Sequence, residues 1–307
     1  MNAILFPGQG SQIVGMGSEF YNNFEIVKKI FKEADEKLNY KISKIILEGP
    51  EDKLKLTENT QPAILTVSYA IFSVLKKEFN FSFKKTKFFA GHSLGEYSAL
   101  VCAESVDFTD ALFLLFERGK SMQEAVPVGK GSMIAVLGSK IDELNALIKN
   151  NEIKGVCEIA NDNAEGQTII SGDIESVNFL QSLLKENKKK FIPLNVSAPF
   201  HCSLMKPAAL KMEDKINSVN FKKPIFDVVC NVTSNPANEP EKIKNLLIEQ
   251  IYSTVRWRES ILYMSKEKIS NFLEIGPGKV LTGMVKRTIK DTKCFSINSI
   301  DDIKKVT

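Results

Sequence analysis

Gly91-His92-Ser93-Leu94-Gly95 is the segment of this chain with the clearest chemical potential. A Gly-x-Ser-x-Gly sequence at a strand-to-helix turn lifts the serine hydroxyl clear of the sheet, and its glycines relieve the crowding of the turn. The helix that follows presents its first amides, with the Leu94 N–H nearest, to any oxyanion that forms beside the serine. The competing reading is a glycine-rich turn that contains a serine by accident. A serine hydroxyl is a weak nucleophile and needs a base within hydrogen-bond reach, most often histidine. The chain has two histidines, His92 and His201. In an extended segment the His92 side chain points away from the Ser93 face, which leaves His201, in Ser197-Ala198-Pro199-Phe200-His201. Only four of the 41 basic residues are arginines, so Arg118 stands out. Its planar fork suits a substrate carboxylate in a way that lysine does not. A surface ion pair of Arg118 with Glu117 or Glu124 is the alternative. Cys202, beside His201, reads as a packing thiol, since nothing around it marks activation.

The elements that must position these residues follow from periodicity. Ala3–Phe6 predicts a short buried strand, and Pro7-Gly8-Gln9-Gly10-Ser11-Gln12 a tight turn after it. Helical spacing runs from about Phe24 to Leu38, and Pro62 predicts the opening of a second helix over Ala63–Phe79. Phe88–Ala90 predicts the strand that leads into Ser93, with helices at Glu96–Cys102 and Asp110–Ala125 beyond it. Between Gly131 and Ser197 the pattern changes to strand, helix, strand, strand, helix, strand, the order of a ferredoxin-like unit. The segments are Met133–Leu137, Ile141–Lys149, Val156–Ala160, Thr168–Ser171, Ile174–Lys185 and Lys190–Val196, with the middle strands joined by a loop over 161–166. After Pro199 come a helix near Met205–Ile216, a strand at Val228–Asn231, a helix around Glu241–Val255 and a strand at Phe272–Ile275. His201 falls at the junction where the inserted unit returns to the larger one, a place where clefts form.

Composition bounds the function classes. The chain has 307 residues, 43% hydrophobic and 25% charged, as expected for a globular protein with a main unit and a smaller one. The net charge is +4 with acidic and basic residues interspersed, which argues against nucleic acid as a partner. Five cysteines without a CxxC pair argue against a disulfide framework or a zinc site, and no metal is expected. No apolar run approaches ~20 residues and no leader precedes the first strand, so no membrane association is expected and the compartment expected is the cytoplasm.

Taken together, Phe6-Pro-Gly-Gln-Gly-Ser-Gln12, Thr60-Gln-Pro62, Gly91-His-Ser-Leu-Gly-Glu-Tyr97, Glu117-Arg-Gly119, Asn161-Asp-Asn163, Ser197–His201, Asn231-Val-Thr233 and Glu274-Ile-Gly-Pro-Gly-Lys279 span nearly the whole chain. They resemble the malonyl-CoA:acyl-carrier-protein transacylases of fatty-acid synthesis and the related acyltransferase domains of polyketide synthases. The resemblance implies an α/β-hydrolase-like catalytic domain over residues 1–126 and 199–307, with a ferredoxin-like domain inserted at 127–198. It also implies Ser93 as nucleophile and His201 as base, with the backbone amides of Gln9 and Leu94 as the oxyanion hole. Arg118 would hold the malonyl carboxylate. The main-chain carbonyl of Gln250 would orient the histidine, so that a dyad replaces a triad. Asn161, Asn163, Gln167 and Lys190 match positions near the coenzyme A arm or its phosphates. No bound cofactor is implied; the coenzyme A thioester is a substrate and holo acyl carrier protein the partner, with a monomer expected. Phe200 resembles malonyl-selective members and would crowd a methylmalonyl branch.

Other readings remain on the sequence alone. Gly8-x-Gly10 is followed by Ile13 where a dinucleotide fingerprint needs glycine, and Gly119-Lys120-Ser121 has Leu114 where a P-loop needs its first glycine, so both nucleotide motifs fail. A serine hydrolase or thioesterase could use the same serine and histidine, with Asp107 or Asp173 completing a triad. A non-catalytic malonyl-binding role would leave Ser93 and His201 without purpose. The lysine clusters Lys84-Lys85-Lys87 and Lys188–Lys190 either meet an acidic carrier protein or form a solvated face.

Overall fold

The structure is a computed structural model describing residues 1–151 and 153–306. Two sheets organise it. Strands β1 (Asn2–Phe6) and β2 (Thr86–Gly91) lie side by side and parallel at the centre of the larger sheet. β3 (Gly131–Leu137), β4 (Cys157–Ala164), β5 (Gln167–Asp173) and β6 (Lys190–Pro193) form a separate antiparallel sheet in the order β4-β5-β3-β6. β7 (Asp227–Val229), β8 (Pro236–Ala237), β9 (Asn271–Ile275) and β10 (Lys293–Ile297) complete the larger sheet, in the order β10-β9-β1-β2-β7-β8. All its pairings are parallel except β7 with β8.

The apolar run of β1 follows from burial on both faces, because a parallel sheet is covered by helices on either side. Ile4 and Phe6 pack with Phe89 into the layer formed by the Thr57–Lys77, Gly95–Cys102 and Phe108–Glu124 helices. Ala3 and Leu5 pack with Phe88 against Trp257, Ile261 and Met284 from the Trp257–Lys266 and Val280–Thr288 helices. In the smaller sheet the alternation of β3 divides its side chains. Ile134 and Val136 face Leu144, Leu180 and Leu184 of the sheet's own helices, Ile141–Asn150 and Ile174–Glu186. Met133 and Ala135 face the main core. β4 is tied to the chain that leads into the Trp257–Lys266 helix at Val255, whose N–H donates to Ala160 O at 2.9 Å and whose carbonyl accepts from the Asp162 N–H at 3.0 Å. Arg258 donates to Asp162 at 2.9 Å across the same seam.

The elements expected from the sequence occur in the expected order; the departures are shifted bounds and elements that the sequence reading lacks. Pro62 does not open a helix; it lies inside the Thr57–Lys77 helix. The first turn is fixed instead by side chains, Asn59 Nδ2 donating to Lys53 O at 2.9 Å and Thr60 Oγ1 to Leu54 O at 2.6 Å. The loop expected over 161–166 is mostly strand: β4 runs through Asn161, Asp162 and Asn163 to Ala164, with irregular register. Polar residues read as loop, yet here they are buried and find partners outside their own sheet. The helix expected to reach Val255 ends at Gln250. β6 ends at Pro193, although the Leu194 N–H still donates to Met133 O at 2.9 Å. The helices Ser18–Asn23, Ile42–Glu48, Glu51–Lys55 and Ile300–Lys304 have no counterpart in the sequence reading, nor do the Trp257–Lys266 and Val280–Thr288 helices or strands β8 and β10. No helix among the described residues is long and apolar enough to cross a membrane.

The Gly95–Cys102 helix lies so close to β1 that a Cβ on Gly95 would stand 2.3 Å from Phe6 O and 2.8 Å from Pro7 O. Gly283, inside the Val280–Thr288 helix, has open space around it. Gly95→Ala should therefore destabilise the fold by about 3 kcal/mol or more. Gly283→Ala should stabilise it by about 0.5–1 kcal/mol, since alanine removes backbone freedom from the unfolded chain. The shift of the urea midpoint, opposite in sign for the two variants, checks both.

Candidate active site

Parallel strands end on one side of a sheet, and the loops that leave β1, β2 and β7 there carry Gln9, Ser93 and Asn231. Ser93 has φ 53°, the strained left-handed conformation of a nucleophile elbow. Gly91 allows it, because a Cβ there would meet Gly95 O at 1.8 Å. Asn231 clamps the turn: its Oδ1 accepts from the Ser93 N–H at 2.7 Å, and its Nδ2 donates to Gly91 O at 2.7 Å.

Ser93 Oγ lies 2.8 Å from His201 Nε2, and His201 Nδ1 lies 2.9 Å from the main-chain oxygen of Gln250. A carbonyl only accepts, so Nδ1 carries the ring proton and the Nε2 lone pair faces the serine. Because the helix ends at Gln250, that carbonyl is free of helical bonding and lies at the negative end of the helix dipole. His201 itself has φ 57°, a second strained position. Burial, and then the charge of Arg118, pull the His201 pKa down to about 3, so the ring is neutral at physiological pH. Neither acid considered for a triad reaches it. Asp107 is exposed beside Lys222, and Asp173 caps the Ile174–Glu186 helix by accepting from the Ser176 N–H.

Arg118 is 1% exposed, which removes the surface ion-pair reading; Glu117 and Glu124 pair with Lys215 and Lys211 instead. Its Nη2 donates to Ser93 Oγ at 3.1 Å and to Gln250 Oε1 at 2.9 Å, and its Nη1 to Gln61 Oε1 at 2.8 Å. Nε is buried and has no partner among the described residues. Desolvation lowers the guanidinium pKa, but from a value high enough to leave it charged. Gln250 contributes its side chain too, Nε2 donating to Ser93 O at 3.1 Å and to Glu96 Oε2 at 2.7 Å. Gln61, Glu96 and Asn231 received no role from the sequence. All three stand inside quoted motifs, yet nothing in their spacing says which of their polar groups turn inward.

A cavity of about 230 Å³ opens above Ser93, His201 and Arg118. Gln9, Asn161 and Asn163 line it, with Met122, Met133, Ile169 and Phe200 as its apolar wall. Asn163 also meets the His92 ring at 2.8 Å, so the second histidine is part of the wall; burial lowers its pKa. Leu94 caps the Gly95–Cys102 helix next to the serine. Gln167 and Lys190 lie outside the lining: Gln167 accepts from Arg287 at 2.7 Å, and Lys190 begins β6 as an exposed residue. Cys202 is buried, with burial raising its thiol pKa to about 11, in keeping with a packing role.

The sequence matches the acyl transferase domain family over residues 4–306. It is 44% identical to the malonyl CoA-acyl carrier protein transacylase of Bacillus subtilis, over 98% of this chain and 95% of that protein. The chain belongs to the malonyl CoA-acyl carrier protein transacylase family. The transacylase of Escherichia coli is 39% identical over 96% of this chain and 95% of its own length. The acyl-carrier-protein S-malonyltransferase of Bartonella henselae superimposes with a TM-score of 0.96 at 42% identity, covering 99% of this chain and 97% of that one. A malonyl-transacylase in complex with its holo type II PKS acyl-carrier protein superimposes with a TM-score of 0.95 at 38% identity, covering 99% and 98%. The likeness of fold thus extends over both sheets.

Burial lowers the pKa of both histidines, so the folded state disfavours their protonation. Their contribution to stability is present above the unfolded value of about 6.5 and falls away as pH drops below it. The His201 Cε1–H resonance of the folded protein should keep its position from pH 8 to pH 5, which a ¹H NMR titration checks. A His201 midpoint near 6.5 would contradict the buried, cation-flanked geometry.

Proposed function

We propose that the protein transfers a malonyl group from malonyl-CoA to the phosphopantetheine thiol of holo acyl carrier protein, through a malonyl ester on Ser93, supplying extender units for fatty-acid synthesis. The observation that carries this reading is the buried Arg118 guanidinium 3.1 Å from Ser93 Oγ, a fixed cation where a thioester attacked by the serine would extend its carboxylate. An esterase acting on neutral acyl groups has no use for it.

In the first half-reaction the malonyl carboxylate takes over Arg118 donors now directed to Ser93 and Gln61. Ser93 Oγ attacks the thioester carbonyl while its proton passes to His201 Nε2. The tetrahedral oxyanion lies against the Gln9 and Leu94 N–H groups. The C–S bond then breaks and His201 returns the proton to the leaving coenzyme A thiol. In the second half the pantetheine thiol gives its proton to His201, attacks the Ser93 ester, and the serine leaves with that proton. His201 and Ser93 suffice as a dyad, with the Gln250 carbonyl orienting the ring. Burial is the larger cause of the low His201 pKa and the Arg118 charge the next, so pairing the carboxylate with Arg118 removes only the second part and makes the histidine a somewhat better base.

We assign Asn161 and Asn163, which line the cavity, to the pantetheine arm, and Gln167 and Lys190, outside its lining, to the distal part of coenzyme A. Phe200 and the methionines line the cavity, where they would crowd a branched acyl group. The cycle needs no bound cofactor, and since every group comes from one chain, a monomer suffices. Five free cysteines accord with a reducing cytoplasm. We take the inserted unit to run from 127 to 198 and the catalytic unit to comprise 1–126 and 199–307.

Intact-protein mass spectrometry after mixing with malonyl-CoA should show a malonyl adduct that persists in buffer and discharges onto holo carrier protein. Rapid loss to water would instead indicate a hydrolase. Ser93→Ala should show no adduct. Arg118→Ala should lower the rate of malonyl loading by about 10- to 100-fold, the worth of a charge-assisted hydrogen bond, and leave acetyl loading much less affected. An equal loss for both acyl groups would remove Arg118 from the carboxylate role.

A further inference from the structure

Of the buried carboxylates that the transfer cycle does not use, Glu96 is hydrogen-bonded to residues of the site itself. Glu96, in the first turn of the Gly95–Cys102 helix, is 1% exposed. Its Oε2 accepts from Gln250 Nε2 at 2.7 Å and from the Asn231 N–H at 3.0 Å. The other end of the Gln250 amide, Oε1, accepts from Arg118 Nη2 at 2.9 Å. Cation and anion are therefore joined through one amide, whose oxygen faces the guanidinium and whose nitrogen faces the carboxylate. That orientation aligns the amide dipole with both charges. The ionisable groups facing Glu96 are Arg118 from the Phe108–Glu124 helix, the Cys230 thiol from the chain after β7, and Tyr97 on its own helix. The neighbouring His201 is neutral. With Arg118 and Glu96 both ionised, the empty site carries no net charge.

A substrate carboxylate disturbs this balance, because it brings a second anion to a buried site that holds one cation. An uncompensated buried charge is expensive, and a titratable group there takes or loses a proton instead. We propose that Glu96 is the counter-charge of Arg118, relayed through the Gln250 side chain, and that it takes up a proton from solvent when a malonyl carboxylate pairs with Arg118. This rests on the reading of Arg118 as the carboxylate holder. Desolvation keeps the Glu96 carboxyl up at about 7 despite the hydrogen bonds and the Arg118 charge that favour its ionised form, so the proton is available near neutral pH. Glu96 is a positioning residue: it touches no substrate and acts on the site through Gln250 and Asn231. Malonyl binding then weakens as pH rises above neutrality, while acetyl binding, which adds no anion at Arg118, does not.

The test is isothermal titration of Ser93→Ala protein, which cannot be acylated, with malonyl-CoA and with acetyl-CoA. Each titration is run at pH 7, 8 and 9 in two buffers of different ionisation enthalpy. Acetyl-CoA carries the same phosphates and lacks the carboxylate, so the difference between the ligands isolates the malonyl group. The expected difference is uptake of about half a proton or more at pH 8, with the malonyl Kd rising by up to about tenfold per pH unit above neutrality. In the Ser93→Ala/Glu96→Gln protein the uptake should vanish and the malonyl Kd should become flat with pH, since glutamine keeps an acceptor for Gln250 and Asn231 but cannot titrate. Because the linkage is read first with Glu96 in place, the test does not depend on that variant folding. Equal proton uptake for the two ligands, or uptake that survives Glu96→Gln, would overturn the proposal and leave the transfer function intact. Malonyl binding that is unchanged by adding Arg118→Ala would overturn the carboxylate role of Arg118 and this proposal with it.

Discussion

Gln250 holds the site together. Its main-chain carbonyl receives the His201 ring, its side-chain oxygen receives Arg118, and its side-chain nitrogen donates to Ser93 O and Glu96. Serine, histidine and arginine come from three separate parts of the chain, and one residue at a helix end fixes the position of each against the others. The reason lies in how helices stop. A carbonyl in mid-helix is already bonded, whereas the last carbonyls of a helix need partners from elsewhere. Had the helix continued to Val255, as periodicity suggests, the Gln250 carbonyl would have been closed to His201.

The electrostatics of the cavity follow from the same arrangement. A guanidinium buried this deeply is tolerated because Gln61, Gln250 and Ser93 accept its hydrogen bonds. Its charge, added to desolvation, keeps His201 neutral, which is the form a general base requires. The apolar wall of Met122, Met133, Ile169 and Phe200 lowers the local dielectric and strengthens each of these effects. That wall depends on the smaller sheet, whose strands alternate between facing their own helices and facing the cavity.

Two residues of the site are strained, Ser93 at φ 53° and His201 at φ 57°. Each such position costs about 1–3 kcal/mol and persists only when its surroundings leave no alternative. For Ser93 the surroundings are the Gly91 and Gly95 contacts with neighbouring backbone and the Asn231 clamp. The strain turns the serine oxygen outward, toward His201 and Arg118, while its backbone stays in the turn.

Local sequence determined much of this protein. The elbow around Ser93, the scarcity of histidine that singled out His201, the isolated arginine at Arg118, the strand and helix order of the smaller sheet and the inner strands of the larger one all depend on residue type and short-range periodicity, which a linear reading captures. The tertiary structure alone decided that Arg118 is buried and directed at Ser93, that Asn161 and Asn163 lie in a strand, and that Gln61, Glu96 and Asn231 belong to the site. Those outcomes depend on polar groups separated by tens to more than a hundred residues meeting where water is excluded, and the strength of a hydrogen bond or charge there is set by what surrounds it in space.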